Sequence, residues 1–387
     1  MSAGRRCRDK NSGPLRVLQM HGTFDLGGKE SRVVRLMNHW GERVSHDILL
    51  GHSEARSAAA GIDPSVSVRF LSEPQLGGPP SLGKFRALAR FMRNYDLILS
   101  FNWGAMDGVM AHRLFRRLKR LPPLVHHEDG FNQDEALARD PLRNRYRQIA
   151  LSGAHALVVP SNLLAHIAQQ EWHQKAEKVH QIPNGIDVPA YGGGRSPSAI
   201  PGLEYDGRVV VGTLAGLRPV KNLRRLVRAV APIQDKVRLV IVGEGPDQES
   251  ILTEAAAHGL SDLVMPGFLP RPHEYVGAFD IFALSSDSEQ FPIALVEAMA
   301  AGLPVVSTDV GDVSAMIAAG NRPYVVEADG HADFQAAITA QADDPELRAR
   351  LGEANRKRAL QCFDEKVMFQ LYARLYGGAI GDEQALI

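Results

Sequence analysis

Residues 285–311, SSDSEQFPIALVEAMAAGLPVVSTDVG, decide how this chain folds. They leave the apolar, β-prone run DIFAL at 280–284, pass through a polar loop and reach Pro292. Proline favours the first helical position, where its missing N–H is not needed. The spacing therefore predicts a helix from Pro292 through the small-residue run AMAA, and then a buried strand at LPVVST. Strand, loop, helix and strand in that order are the repeating unit of a parallel α/β sheet.

Worked outward, the same alternation fills the chain. Downstream of residue 207 it runs through RVVVGTLAG (208–216), VRLVIVGEG (237–245), LVMPGFL (263–269) and PYVVE (323–327). Upstream it runs through LRVLQM (15–20), HDILLG (46–51), VSVRFL (66–71), YDLILSF (95–101), PLVHH (123–127) and ALVVPS (156–161). Helical stretches such as KESRVVRLMNHW (29–40), FRALARFMR (85–93) and NLLAHIAQQEW (162–172) separate these runs. The periodicity fails at 184–207, a Gly-, Pro- and Ser-rich stretch that reads as an interdomain linker. The expected layout is a disordered lead at 1–13, one Rossmann-like domain at 14–188, a second at 189–365 and a closing helical segment at 366–387.

The composition narrows the function. With 387 residues and 44% hydrophobic content the chain can bury two cores, and 44 basic residues against 44 acidic ones carry no nucleic-acid footprint. That balance hides a split: residues 1–190 hold 26 Lys/Arg against 18 Asp/Glu, and residues 191–387 hold 18 against 26. Cys7 and Cys362 are the only cysteines, which excludes a disulfide framework and a Cys-rich zinc site. No apolar run approaches the roughly 20 residues of a membrane-spanning helix, so the expected location is cytoplasmic. Two basic segments, with Lys84, Arg86, Arg90 and Arg93 in one and Arg113, Arg116, Arg117, Lys119 and Arg120 in the other, fit either a solvated helix face or an anionic membrane surface.

Two carboxylates flank the helix start at 292. Glu289 lies in the loop and Glu297 inside the helix. A helix N-terminus offers free N–H groups to an anion such as a diphosphate, and a carboxylate, which only accepts hydrogen bonds, suits vicinal hydroxyls, which donate them. Such spacing can hold a sugar at one end and a ribose at the other.

This stretch resembles the E-x7-E signature of the retaining glycosyltransferases of family 4, which have the GT-B fold. GTLAGLRPVKNLRRLVRAV (212–230) is similar to the first strand and basic loop of that family's C-terminal domain, and VRLVIVGEGPDQESI (237–251) to its next strand and Gly turn. GFLPRPHEYVGAFDIFALSS (267–286) resembles its base-pocket region, QIPNGID (181–187) its hinge, and FDLGGKE (24–30) its first Gly loop. The resemblance implies an α/β fold of two Rossmann-like domains facing a central cleft. It implies transfer of a sugar from a nucleotide-sugar donor to a cell-envelope polysaccharide precursor, a glycolipid or another hydroxyl acceptor, some of them lipid-linked and met at the inner face of the cell membrane.

Residue by residue, the resemblance implies that Glu297 binds the ribose and Glu289 the donor-sugar hydroxyls. Gln290, Phe291 and Ile293 would border the sugar and diphosphate, Gly243 and Leu269 would line the nucleotide side, and Gly27 and Gly28 would approach the phosphates. Lys221 would meet the diphosphate as charge grows on it. His127, in the loop VHHEDG, would orient the reacting groups, although a shifted alignment selects His126 or Asp129 there. The family pattern G-R-L-x-x-x-K is broken: Gly216 stands where an arginine is expected, and Arg218 is the candidate replacement. No Asp-x-Asp occurs, so basic side chains are expected to do the work of a metal, and no cofactor is implied beyond the nucleotide-sugar substrate. Two rivals remain at this point. A nicotinamide-dependent oxidoreductase is disfavoured because neither half opens with G-x-G-x-x-G. A non-catalytic nucleotide-sugar-binding subunit draws its support from Gly216.

Overall fold

Aliphatic runs that show no alternation are what a strand buried on both faces requires, and the computed structural model turns each of them into a parallel strand. The structure describes residues 13–131, 135, 139–192, 194 and 199–387. The expected lead up to residue 12, with Cys7, lies outside the described residues, as do parts of 132–138 and of the linker at 193–198.

The first sheet comprises β1 (Leu15–His21), β2 (Val44–Leu50), β3 (Ser67–Leu71), β4 (Leu97–Phe101), β5 (Leu124–His127), β6 (Ala156–Val159) and β7 (Val179–Gln181), in the spatial order β3-β2-β1-β4-β5-β6-β7. The second comprises β8 (Val209–Leu214), β9 (Val237–Val242), β10 (Leu263–Gly267), β11 (Ile281–Leu284), β12 (Val305–Thr308) and β13 (Val325–Val326), in the order β10-β9-β8-β11-β12-β13. Every ladder is parallel. In both sheets the order reverses beside the first strand, and it is outside the carboxyl ends of the strands flanking such a reversal that doubly wound sheets take ligands.

Helices cover both faces. The first sheet carries α1 (Gly28–Trp40), α2 (Leu82–Met92), α3 (Met106–Lys119), α4 (Pro141–Leu151) and α5 (Asn162–Gln170). The second carries α6 (Leu223–Val230), α7 (Gln248–Ala257), α8 (Ile293–Ala300), α9 (Val313–Met316), α10 (His331–Asp343) and α11 (Pro345–Cys362). The last helix, α12 (Glu365–Ile380), buries Met368, Phe369, Tyr372, Ala373, Tyr376 and Ala379 in the core of the first sheet. That spacing of one, three or four residues is the stripe of an amphipathic helix.

The chain accordingly divides into two compact units, Met1–Pro183 with Met368–Ile387, and Asn184–Val367. The expected boundary after residue 188 falls earlier. Ile186 bridges to Asp364, and Val188 and Tyr191 enter the core of the second unit, so apolar burial draws the start of the linker into that unit. One helix start also moves. Pro292 caps α8 with an extended ψ of 106°, and the helix begins at Ile293.

Candidate active site

In the second unit the sheet order reverses between β8 and β11, so the loops after these two strands define the site. The loop after β8 is laced to the turn after β9: the Ala215 and Leu217 N–H groups donate to the carbonyls of Val242 and Glu244 at 3.0 and 2.8 Å. Only glycine permits this approach. A Cβ on Gly243 would lie 1.8 Å from the Ala215 carbonyl oxygen and one on Gly245 2.3 Å from that of Leu217, and both residues have positive φ. Gly243 thus has a packing reason to be glycine, independent of any ligand.

Lys221 ends a short helical turn, Pro219–Lys221, at the tip of that loop. Its Nζ lies 2.5 Å from Glu289 Oε1, and Ser286 Oγ donates to the same oxygen at 2.7 Å. The Glu289 side chain is only 9% exposed, so its charge is met by an ammonium and a hydroxyl rather than by solvent. Behind it Gly311, at φ +56°, lets the loop after β12 pass so close that a Cβ would sit 2.3 Å from the Glu289 carbonyl oxygen. Arg218 is exposed, and its guanidinium folds over Gly216: Nε lies 3.6 Å from the position a Cβ would take there.

Glu297 lies on α8, where Tyr191 donates its hydroxyl to Oε1 at 3.0 Å. Tyr275 is buried beside it, donates to the Leu269 carbonyl at 3.1 Å, and has its phenol pKa raised by burial and by the Glu297 charge. His273 meets the Tyr191 ring edge-on, with centroids 6.0 Å apart. Gln290, Phe291 and Ile293 cluster at the start of α8. Phe291 packs against Phe363, Ile293 rests on the core, and Gln290 Oε1 is buried with no hydrogen-bond partner among the described residues. The structure therefore brings Lys221, Glu289 and Gln290 to one sheet edge and sets Glu297 and Leu269 within a tyrosine pocket. Tyr191 and Ser286 were missed by sequence reasoning. Tyr191 lies 106 residues from its partner, and no local spacing could have paired them.

In the first unit Gly27 caps α1 with φ −165°, an extended conformation open to any residue, and Gly28 is the exposed first residue of the helix. A Cβ on Gly27 would come within 3.0 Å of Glu30 Oε2, so its small size makes room for that carboxylate. The expectation for His127 is corrected. It is 1% exposed, and both ring nitrogens have partners: Nδ1 faces the Ser100 carbonyl at 3.2 Å and Nε2 the Tyr376 hydroxyl at 2.7 Å. Because a carbonyl only accepts, Nδ1 carries the proton and Nε2 accepts from the tyrosine. Burial, reinforced by Arg32, lowers its pKa well below the usual histidine value. His127 is a neutral strut between β5 and α12, stacked on Phe101 at 4.5 Å. His126 is buried as well, with Nδ1 2.9 Å from Ser100 Oγ. Of the three alternatives only Asp129 reaches the partly exposed edge, where Arg32 holds both of its carboxylate oxygens.

The two basic segments form α2 and α3, which pack side by side. Lys84 is not part of an open face: it pairs with Asp107 at 2.5 Å and donates to the carbonyls of Gly77 and Gly78. Arg86, Arg90, Arg93, Arg113, Arg117 and Arg120 are exposed, together with Leu82, Leu114 and Leu118. Among the described residues no helix is long and apolar enough to cross a membrane, and no three His, Cys, Asp or Glu side chains are grouped to hold a metal ion.

Comparison with known proteins agrees with this fold. A family model described as "Glycosyl transferases group 1" matches residues 200–358, and one described as "Glycosyltransferase Family 4" matches residues 26–189. The D-inositol 3-phosphate glycosyltransferase of Stackebrandtia nassauensis is 30% identical over 89% of this chain and 87% of its own length. The putative glycosyltransferase EpsF of Bacillus subtilis is 29% identical over 77% of this chain and 80% of its own. Among solved structures, Anabaena HepE in complex with UDP superposes with a TM-score of 0.78 at 21% identity, covering 93% of this chain and 98% of that one. Sucrose-phosphate synthase from Thermosynechococcus elongatus gives 0.71 at 19% identity, covering 94% and 100%.

Proposed function

The chain belongs to the group 1, family 4 glycosyltransferases, with their GT-B fold, and on that footing we propose that it moves a sugar from a nucleotide-sugar donor to an acceptor hydroxyl with retention at the anomeric carbon. The observation that carries this reading is the Lys221–Glu289 pair at the point where the second sheet reverses, with Glu297 on the adjoining helix. Glu297, already accepting one phenolic hydrogen bond, accepts others from ribose hydroxyls, and Glu289 accepts from the sugar. Lys221 exchanges part of its contact with Glu289 for the diphosphate. In the reaction the bond from the anomeric carbon to the diphosphate oxygen breaks, the acceptor oxygen bonds to the same face, and its proton passes to the departing diphosphate. The protein's task is then to stabilise growing negative charge with preorganised cations.

That task falls to Lys221 and Arg218. The latter supports an enzyme over a non-catalytic binding subunit, since its guanidinium occupies the space a residue-216 side chain would enter. With two cations at the diphosphate and no Asp-x-Asp in the chain, turnover is expected to survive EDTA. HepE, solved with UDP, makes UDP-sugars the first donors to try beside GDP-, ADP- and dTDP-sugars. A polysaccharide precursor or glycolipid acceptor suits the arginine-and-leucine face of α2 and α3, which fits the anionic inner surface of the cell membrane. Sedimentation with anionic but not neutral liposomes, weakening as salt rises, is the expected signature; equal absence from both at low salt leaves a solvated face.

The donor assignment is tested by two conservative changes. Glu297→Gln should weaken binding of the bare nucleoside diphosphate, whereas Glu289→Gln should leave that binding nearly intact and depress turnover. Equal losses of nucleotide affinity in both would refute the division of roles.

A further inference from the structure

Lysine is a flexible point charge that forfeits rotamer freedom when fixed, so a site that depends on Lys221 gains from holding the backbone that carries it. The start of α6 shows how. Its sequence LRRLVRAV directs Leu223, Leu226, Val227 and Val230 into the core, yet Arg225 is buried among them with a side chain only 7% exposed. A guanidinium is not placed there for apolar packing, because burying an unpaired charge is costly. Its Nη1 donates to the Ser285 carbonyl at 2.6 Å and its Nη2 to Asp287 Oδ1 at 2.8 Å. Both acceptors belong to the loop that carries Glu289.

The other side of the junction is equally bound. Asn222, the residue after Lys221, adopts φ +41° and donates from Nδ2 to both Asp287 oxygens at 2.9 and 3.2 Å. The Asp287 N–H donates to the Val220 carbonyl at 2.8 Å, and Ser285 Oγ to the Lys221 carbonyl at 3.0 Å. Thr308 Oγ1 holds the Ser286 carbonyl from β12 at 2.6 Å. A left-handed conformation at a non-glycine residue is uncommon and is kept only where surrounding contacts impose it.

We propose that Arg225 and Asp287 are positioning residues: they clasp the Lys221 loop to the Glu289 loop from the rigid start of α6 and so aim the Lys221 ammonium. This rests on the reading that Lys221 and Glu289 meet the donor. Loss of aim by a fraction of an ångström to one ångström costs turnover by on the order of tenfold to a hundredfold, while leaving the donor-binding groups in place.

The test has one readout that needs no substrate. The Asp287 side chain is 48% exposed, so Asp287→Ala opens no buried cavity, and Arg225 keeps its bond to the Ser285 carbonyl; Arg225→Lys keeps the charge and loses the fork. Modification by an amine-reactive N-hydroxysuccinimide ester, followed by mass spectrometry, should label Lys221 several times faster in Asp287→Ala than in the parent protein, with Lys236 as internal reference. An unchanged Lys221 rate overturns the clasp. The second readout is turnover of the most active nucleotide-sugar of the UDP, GDP, ADP and dTDP panel. Asp287→Ala and Arg225→Lys should each lower kcat at least about tenfold with donor KM within about twofold, and neither should add to the loss in a Lys221→Ala background. Additive losses in that background mean a merely structural role and overturn the proposal. If Lys221→Ala itself is silent, the donor reading fails and the labelling still judges the clasp; if it is damaging while the clasp variants are silent, the clasp alone fails.

Discussion

Arg218 carries the sharpest prediction, because the structure answers a question the sequence leaves open at Gly216. Among the described residues beyond its two chain neighbours, no side chain but that of Arg218 approaches within 4 Å of the position a Cβ on Gly216 would take, and Gly216 does not have positive φ, so a side chain is tolerated there. Arg218 Nε and Nη2 lie 3.6 and 3.8 Å from that position. Two unit charges about 4 Å apart interact by about 1 kcal/mol in water and about 4 kcal/mol at the effective dielectric of a protein surface. Arg218 is exposed in the free chain and would be covered once a diphosphate arrives, so a loss between these limits, about 2–3 kcal/mol in the transition state, is expected on removal. That corresponds to roughly 30- to 150-fold in kcat. Lys221 is less free, since Glu289 already holds its ammonium. Arg218→Ala should therefore cost at least as much as Lys221→Ala in steady-state turnover across the donor panel. In the Arg218→Ala background, Gly216→Arg starts a new side chain from the vacated volume and should restore part of the activity. A silent Arg218→Ala beside a damaging Lys221→Ala, or a Gly216→Arg that raises activity equally with Arg218 present, would show that Arg218 is a bystander.

Tyr191→Phe removes only the hydroxyl that Glu297 accepts, and is expected to raise donor KM several-fold with kcat nearly unchanged; a change confined to kcat would contradict the placement of Glu297 on the ribose. Four histidines of the first unit, His21, His46, His112 and His127, are held neutral by burial, with His46 and His112 lowered to about 4 and the other two well below the usual value. Unfolded histidines take up protons below about pH 6.5 while these do not, so stability is full above that pH and falls as pH drops from about 6.5 towards 4, by at most about 1.4 kcal/mol per pH unit per histidine. The histidines of the second unit, His258, His273 and His331, are exposed, so hydrogen exchange at pH 5 should show the first unit opening before the second, and uniform loss of protection would count against the argument. Tyr376→Phe takes from His127 the hydroxyl that donates to its Nε2 and should lower the melting temperature by several degrees without changing nucleotide affinity.

The strands were legible because burial on both faces leaves largely apolar runs: VRLVIV and LILSF are buried at every position. β7 was not, since its three residues, VHQ, are partly exposed at a sheet edge and carry no apolar signal. The proposed donor site was legible where its members share one short motif, as Glu289 and Glu297 do. It was illegible where the partner arrives from afar: Tyr191 to Glu297, Arg225 to Asp287, Tyr376 to His127. The last case explains the mistaken role for His127. A histidine ending a strand looks poised for a ligand, and only the helix at the far end of the chain reveals that its ring is already spoken for.

That helix has a consequence for biosynthesis. Met368, Phe369, Tyr372, Ala373, Tyr376, Ala379 and Leu386 complete an apolar core whose other buried members lie between Leu15 and Ile182. The ribosome therefore synthesises the whole of the second unit while the first still lacks one wall, against the usual order in which the leading domain folds first. Throughout that interval Trp40 and the rim of β1 and β5 await a partner encoded after the second unit. A nonsense codon near residue 366, or a bulky fusion that delays docking of the tail, would thus injure the half of the protein made earliest.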